Sequence, residues 1–297
     1  MQHLGEIISL LVAVFWTVTA LFADKASHRI GSMSTNVLRL AMATVFLAIL
    51  LWVTLGHPYP VYADGKAWLW LGLSALVGYV FGDWCLFNSY LVIGARFGQL
   101  FMTLAPPMAA IAGWILLGET LTWKSILAMA VTLSGIAISI LSKGEGHTMK
   151  LSLPLKGVLL GLGAGAGQGV GLVLSKIGMQ HYEAAVPAAA PELMGTMLPF
   201  ASTMIRALIG CAGFLALMAL QKDLPRLKAA LQDRKGLTYV AILTLFGPAL
   251  GVSLSLMALT PVLIILPYAL LYKQKVRLKE ILGVTVSMVG VAMFFLM

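Results

Sequence analysis

Charge is scarce in this chain. Only 10% of its 297 residues are Asp, Glu, Lys or Arg, while 60% are hydrophobic and the mean hydropathy is +0.95; a soluble domain carries about 25% charged and 45 to 50% apolar residues. A soluble fold is thereby excluded, because so few polar side chains cannot cover that much apolar surface. Cysteine is nearly absent too. Cys85 and Cys211 both lie inside apolar stretches, which indicates neither a disulfide framework nor a metal cluster and leaves two small buried hydrophobes. There is no GxxxxGK[ST] loop, so ATP does not drive the protein directly. Nor is there an HExxH or another paired acid and base of an enzyme; the five His are scattered through loops and termini. The short alternating segments of a transmembrane barrel are missing as well. The N-terminus lacks a basic n-region and a small-residue cleavage site, and its apolar stretch runs past Phe22, so it reads as a retained first span.

What is present is a series of apolar stretches of about 17 to 25 residues, the length that crosses a hydrocarbon core of about 30 Å as a helix. Inside lipid each span must satisfy its own backbone polar groups, which makes helices the natural form. Candidate spans are Ile7–Ala23, Val37–Leu55, Ala67–Ile93, Gly98–Leu117, Ile126–Leu141, Gly157–Leu174, Met204–Leu220, Leu237–Met257, Leu259–Leu271 and Ile281–Met297. The fold class expected is all-α, a polytopic membrane protein of about ten transmembrane helices. The net charge of +9 resides in short connections rather than on one basic face, so it signals topology and not nucleic acid.

The polar segment 143–156 (KGEGHTMKLSLPLK) separates two halves, residues 1–142 and 157–297. They repeat one another. Val37-Leu38-Arg39 corresponds to Met204-Ile205-Arg206, and Lys124, Ile126, Leu127, Gly135 and Ala137 match Lys279, Ile281, Leu282, Gly290 and Ala292 at constant offset; Gly5 and Trp16 align with Gly157 and Gln168. Five spans per repeat require the second half to be upside down relative to the first. The loop charges agree: Lys25 and Arg29 in the first connection face Glu183 and Glu192 (after Lys176) in its counterpart, whereas Lys66 alone faces Lys222, Arg226, Lys228, Arg234 and Lys235, and Lys124 alone faces Lys273, Lys275, Arg277 and Lys279. The positive-inside rule then places the odd-numbered connections in the cytoplasm and both termini outside.

The stretch APPMAAIAGWILLGETLTWKSILAMAVTLSGIAIS, with Pro106-Pro107, Gly118-Glu119 and Gly135, resembles the EamA-type repeat of the drug/metabolite transporter superfamily, and TPVLIILPYALLYKQKVRLKEILGVTVSMVGVAM echoes it in the second half. The resemblance implies two five-helix repeats and the transport of amino acids, nucleotide precursors, drugs or other metabolites, mostly by export or exchange. The second repeat departs from the first. Gly78 and Gly82 match Gly247 and Gly251 at one offset, but Pro107 matches Pro261 at an offset about 15 residues smaller, so a segment equivalent to Tyr90–Leu104 is expected to be missing around the eighth and ninth helices.

Several polar residues stand within the spans. Asp83, with Asn88 a turn and a half later, is either a cavity group that binds a cation or takes up a proton, or an acid reaching the interface from a span end. Arg39 and Arg206 open the second helix of each half; one reading is snorkelling to the headgroups, the other an anchor for a carboxylate or phosphate. Gln168, among glycines that let helices approach closely, and Trp16 at the aligned place are a candidate hydrogen-bonding and stacking pair across a cavity. Gln99 completes the candidate solute contacts. Pro106, Pro107, Pro248, Pro261 and Pro267 break their helices and suit hinges, solute contacts or simple packing kinks.

The function expected is a secondary carrier of a small metabolite in the inner (plasma) membrane, exposing a midplane site alternately to each side. The rivals are a structural or regulatory membrane protein and a transport-defective shortened variant. Expected partners are the lipid bilayer, a small-molecule solute and either a proton or an exchanged solute. Pairing of two copies stays open, and no cofactor or metal is called for.

Overall fold

The structure, a computed structural model, describes residues 4–143, 149–151, 153–247 and 278–295. Its helices are α1 (Leu4–Ile30), α2 (Ser32–Leu55), α3 (Gly65–Ser74), a π-helical segment (Ala75–Asp83), α4 (Trp84–Met102), α5 (Ala105–Leu117), α6 (Trp123–Ile140), α7 (Leu155–Ala185), α8 (Leu193–Leu220), α9 (Leu224–Gln232), α10 (Arg234–Thr244) and α11 (Leu278–Phe295). A two-stranded antiparallel ribbon, β1 (Leu141–Lys143) with β2 (Met149–Leu151), occupies the connection between the halves. Among the described residues five helical runs are long and apolar enough to cross a membrane: Ser32–Leu55, Gly65–Met102, Trp123–Ile140, Leu155–Ala185 and Leu193–Leu220; Ala105–Leu117 and Ile281–Met293 are shorter apolar helices. Apart from that ribbon the described elements are all helices, and the chain is a polytopic membrane protein. Exposed rows such as Val45, Ile49 and Val53 on α2 present apolar side chains where a soluble helix would be polar.

Local chemistry sets the breaks. Gly31, at φ 88°, turns α1 directly into α2, and Gly56 ends α2 in the left-handed region with its N–H on the Trp52 carbonyl. The Asp64 carboxylate caps α3 by accepting from Ala67 N at 2.7 Å. Gly94 (φ 79°, ψ 158°) breaks α4 near its middle, so the residues before it complete one crossing and those after it begin the next. Pro106 and Pro107 sit in the first turn of α5, following the turn at Thr103 and Leu104. There a missing backbone donor costs nothing, so these prolines punctuate the span instead of distorting it.

Packing is dominated by α2 on α8, α6 on α11, α1 on α10, and α7 on the run from α3 through the π segment to α4 and α5. The α7 contact depends on glycine. A Cβ at Gly167 would fall 2.7 Å from the Gly82 Cα, and one at Gly171 2.8 Å from the Gly78 Cα. The backbones touch because no side chain intervenes.

Helix ends differ from the apolar stretches read from the sequence. α8 begins at Leu193 rather than Met204, and α7 continues to Ala185 rather than Leu174. Lys25 and Arg29, expected in a loop, ride on the last turns of α1. Helices outlast their apolar cores because the headgroup regions add roughly 10 to 15 Å of polar thickness through which the backbone stays helical. The shortened stretch of the second half, with Pro248, Pro261 and Pro267, lies outside the described residues.

Candidate functional site

Asp83 closes the π segment, and such a widened turn commonly marks a functional position because it re-aims the side chains that follow. Its carboxylate is 5% exposed and is held from two sides. From α2, Arg39 donates through Nη2 to Asp83 Oδ2 as a buried ion pair, and the same nitrogen donates to Asn36 Oδ1 at 3.1 Å. From α7, Gln168 donates through Nε2 to Asp83 Oδ1 at 2.6 Å and to the Gly78 carbonyl at 3.1 Å. The glycine contact between α7 and the π segment brings the amide of Gln168 within reach.

A second guanidinium, that of Arg206 on α8, lies 4.4 Å from the centre of the Tyr79 ring, with Arg39 5.7 Å from the same ring. Arg39 also lies 5.4 Å from the Phe87 ring. Gly78 makes room for Arg206, whose Nη2 would stand only 3.3 Å from a Cβ there. Arg206 is 9% exposed and its Nε has no hydrogen-bond partner among the described residues. It nevertheless interacts electrostatically with Asp83. Two positive groups therefore share one carboxylate, at a depth where unbalanced charge is expensive.

The depth follows from the helices. Gln168 is about 20 Å from the start of α7 and 25 Å from its end, and Arg206 is about 20 Å from either end of α8. Arg206 is thus central in its span, which corrects its expected place at a helix start. Arg39, 8% exposed and ion-paired, does not snorkel, and Asp83 points into the protein rather than to the interface.

Other expected residues lie beside the cluster or apart from it. Asn88 accepts from Ser32 Oγ at 3.1 Å and donates to the Trp84 carbonyl at 2.7 Å, making a second polar link between α2 and α4. Gln99 donates to Tyr90 Oη at 2.6 Å, across the break at Gly94. Trp16 buries its indole Nε1 without a hydrogen-bond acceptor among the described residues, and no hydrogen bond there joins it to Gln168. Tyr79 and Asn36 were not anticipated, although each stands one helical turn from a residue that was, Asp83 and Arg39 respectively. Arg96, which falls between the apolar stretches Ala67–Ile93 and Gly98–Leu117, is buried beside the break with its guanidinium 4.8 Å from the Phe97 ring.

Comparison with known proteins bears on this arrangement. A family model described as the EamA-like transporter family matches residues 3–141. No curated protein matches the chain. A solved structure titled "Crystal structure of protein" has a similar fold, with a TM-score of 0.56 and 16% identity, covering 98% of this chain and 96% of that one. The EamA-like family is a family of membrane transporters and not of enzymes. Residues 3–141, just under half of the chain, thus match the EamA-like transporter family, which lies in the drug/metabolite transporter superfamily.

Proposed function

We propose that this protein is a secondary carrier of a small solute across the cytoplasmic membrane, working by alternating access around the Arg39, Asp83, Gln168 and Arg206 cluster. The observation that carries the reading is the buried Arg39–Asp83–Gln168 assembly itself: an ion pair and an amide drawn from α2, the π segment and α7, at half depth in an apolar bundle. Such groups are retained inside a membrane where a solute or ion passes.

Two inverted five-helix halves are the architecture that fits this mechanism, and the packing supports them. If the helices of one half are exchanged for their counterparts in the other, α2 on α8 maps onto itself, α6 on α11 maps onto itself, and α1 on α10 maps onto α7 on the α3 and π run. Sidedness supports the same reading. Arg29 at the end of α1 pairs with Asp233 before α10 at 2.7 Å, and an open basin of ≈ 830 Å³ is lined jointly by Lys25, Arg29, Gly94, Pro154 and Tyr239. This basin lies at the basic end of the bundle and serves as the entrance, whereas the buried ion pair marks the site. At the opposite end Lys176 pairs with Glu119 at 2.7 Å, and Tyr182 Oη donates to the Val61 carbonyl at 2.6 Å. The basic end, with Lys222, Arg226, Lys228 and Arg234, is cytoplasmic by the positive-inside rule.

The test is solute flux with purified protein in liposomes. Asp83→Asn lowers flux more than tenfold per folded molecule. The double variant Arg39→Gln/Asp83→Asn, which removes both charges together, folds and still does not transport. Wild-type flux in the double variant would overturn the assignment of this cluster as the site.

A further inference from the structure

Taking the cluster as the transport site, we propose that its solute is a small organic monoanion whose carboxylate docks on Arg206. Arg39 and Arg206 bring two positive charges, because a guanidinium stays protonated in any protein environment. Asp83 brings one negative charge, with one oxygen on Arg39 and the other on Gln168. One positive charge is left, and among the described residues it sits on the group with fewer partners: Arg206 has the Tyr79 ring beside it at 4.4 Å and an Nε without a hydrogen bond.

Among the described residues no Asp or Glu forms an ion pair with Arg206. Only 11 acids exist. Asp24 is buried on α1 with the exposed His28 ring 3.5 Å away, Glu119 pairs with Lys176 and Asp233 pairs with Arg29. Asp64 caps α3, while Glu183, Glu192 and Asp223 stand at the ends of α7, α8 and α9. Glu6 and Glu280 fall in the first turns of α1 and α11, and Glu145 lies in the segment joining the halves. No Asp or Glu occurs between Gly247 and Arg277. A surplus cation at mid-depth is costly unless a counter-ion arrives, so the missing counter-ion is the solute.

The charge deficit also sets the class. A carboxylate meets the flat donor edge of a guanidinium with two parallel hydrogen bonds and supplies the one negative charge needed. A phosphate monoester, with about −1.5 to −2 near neutral pH, overshoots. A zwitterionic amino acid has no net charge, so its ammonium would restore the surplus that its carboxylate removes.

The test uses the purified full-length protein in detergent with a panel of monocarboxylates from acetate to benzoate, together with benzamide, phenylalanine, phenyl phosphate and benzylamine. At least one monocarboxylate raises the melting temperature, while benzamide and benzylamine do not. Arg206→Gln weakens the apparent affinity for that carboxylate more than tenfold yet melts, without ligand, at or above the wild-type temperature. Should Arg206→Gln fail to fold, Arg206→Lys carries the same test, since it keeps the charge and loses the fork, and the affinity falls there too. The proposal is overturned if no monocarboxylate stabilises the protein, if phenylalanine, phenyl phosphate or benzylamine does so more strongly, or if the effect survives loss of the guanidinium. Counterflow of benzenesulfonate, which stays ionised and does not leak through lipid as a neutral acid, separates this inference from the carrier reading. Binding without counterflow leaves the anion site standing and removes transport; counterflow of a cationic or zwitterionic solute in its place leaves transport standing and removes the monoanion.

Discussion

Replacing Asp83 by Asn takes away the one carboxylate shared by two guanidinium groups, and the consequences for stability can be worked from the contacts. Removing one partner of a buried ion pair costs about 3 to 5 kcal/mol, because the other charge is left without compensation. In Asp83→Asn both Arg39 and Arg206 are stranded, so the full amount applies. Arg39→Gln differs: the carboxylate keeps its hydrogen bond from Gln168 and the field of Arg206. The loss is then that of a charged hydrogen bond, about 1.5 to 3 kcal/mol. Adding Arg39→Gln to Asp83→Asn removes one of the stranded charges and recovers about 0.5 to 3 kcal/mol, the range of coupling expected for residues in contact. Reversible unfolding in mixed micelles, followed by helical circular dichroism for the four proteins, gives all three quantities. Arg39→Gln costing as much as Asp83→Asn, with additive losses in the double variant, would refute the claim that Arg206 shares this carboxylate.

Other predictions follow from single contacts. In a background without Cys85 and Cys211, cysteine at Lys228 and at Ala189, both exposed, reacts with impermeant maleimide from opposite faces of a sealed vesicle; labelling of both from one face would contradict the inverted arrangement. Gly167→Ala forces a Cβ to within 2.7 Å of the Gly82 Cα and destabilises by about 1 to 3 kcal/mol, while Gly195→Ala, with nothing within 4 Å, melts no lower than wild type; equal effects of the two would show that the α7 contact is not tight. The Asp233 carboxyl is held below the usual carboxylate range, first by the hydrogen bond from Arg29 and then by that from the Gly236 amide. Since the folded state lowers this pKa, its contribution is present above about pH 4 and is lost as pH falls further. Melting temperatures of wild type and Arg29→Gln therefore converge below about pH 4, and a gap that persists there would assign the effect of Arg29 to something other than Asp233.

Much of this molecule was legible in its sequence because the bilayer leaves few choices. Scarce charge and recurring apolar stretches dictate membrane-spanning helices, glycines of α7 mark a close helix contact, and an acid at the position of Asp83 demands a partner wherever it is buried. Hydropathy does not report where a helix ends once it leaves the hydrocarbon, and for that reason Arg206 was placed at a helix start when it lies at the centre of α8. Nor does it report which partner meets which charge. Arg39 reaches Asp83 because α2 lies antiparallel to the run from the π segment into α4, with Ser32 opposite Asn88 and Arg39 opposite Asp83. Gln168 joins them because two backbones touch at Gly82 and Gly167. The inventory of charges is a property of the sequence, but the surplus of one cation at mid-depth comes only from the crossing of α2, α7 and α8 over the π segment, since a charge is balanced or unbalanced by what lies within a few ångströms of it.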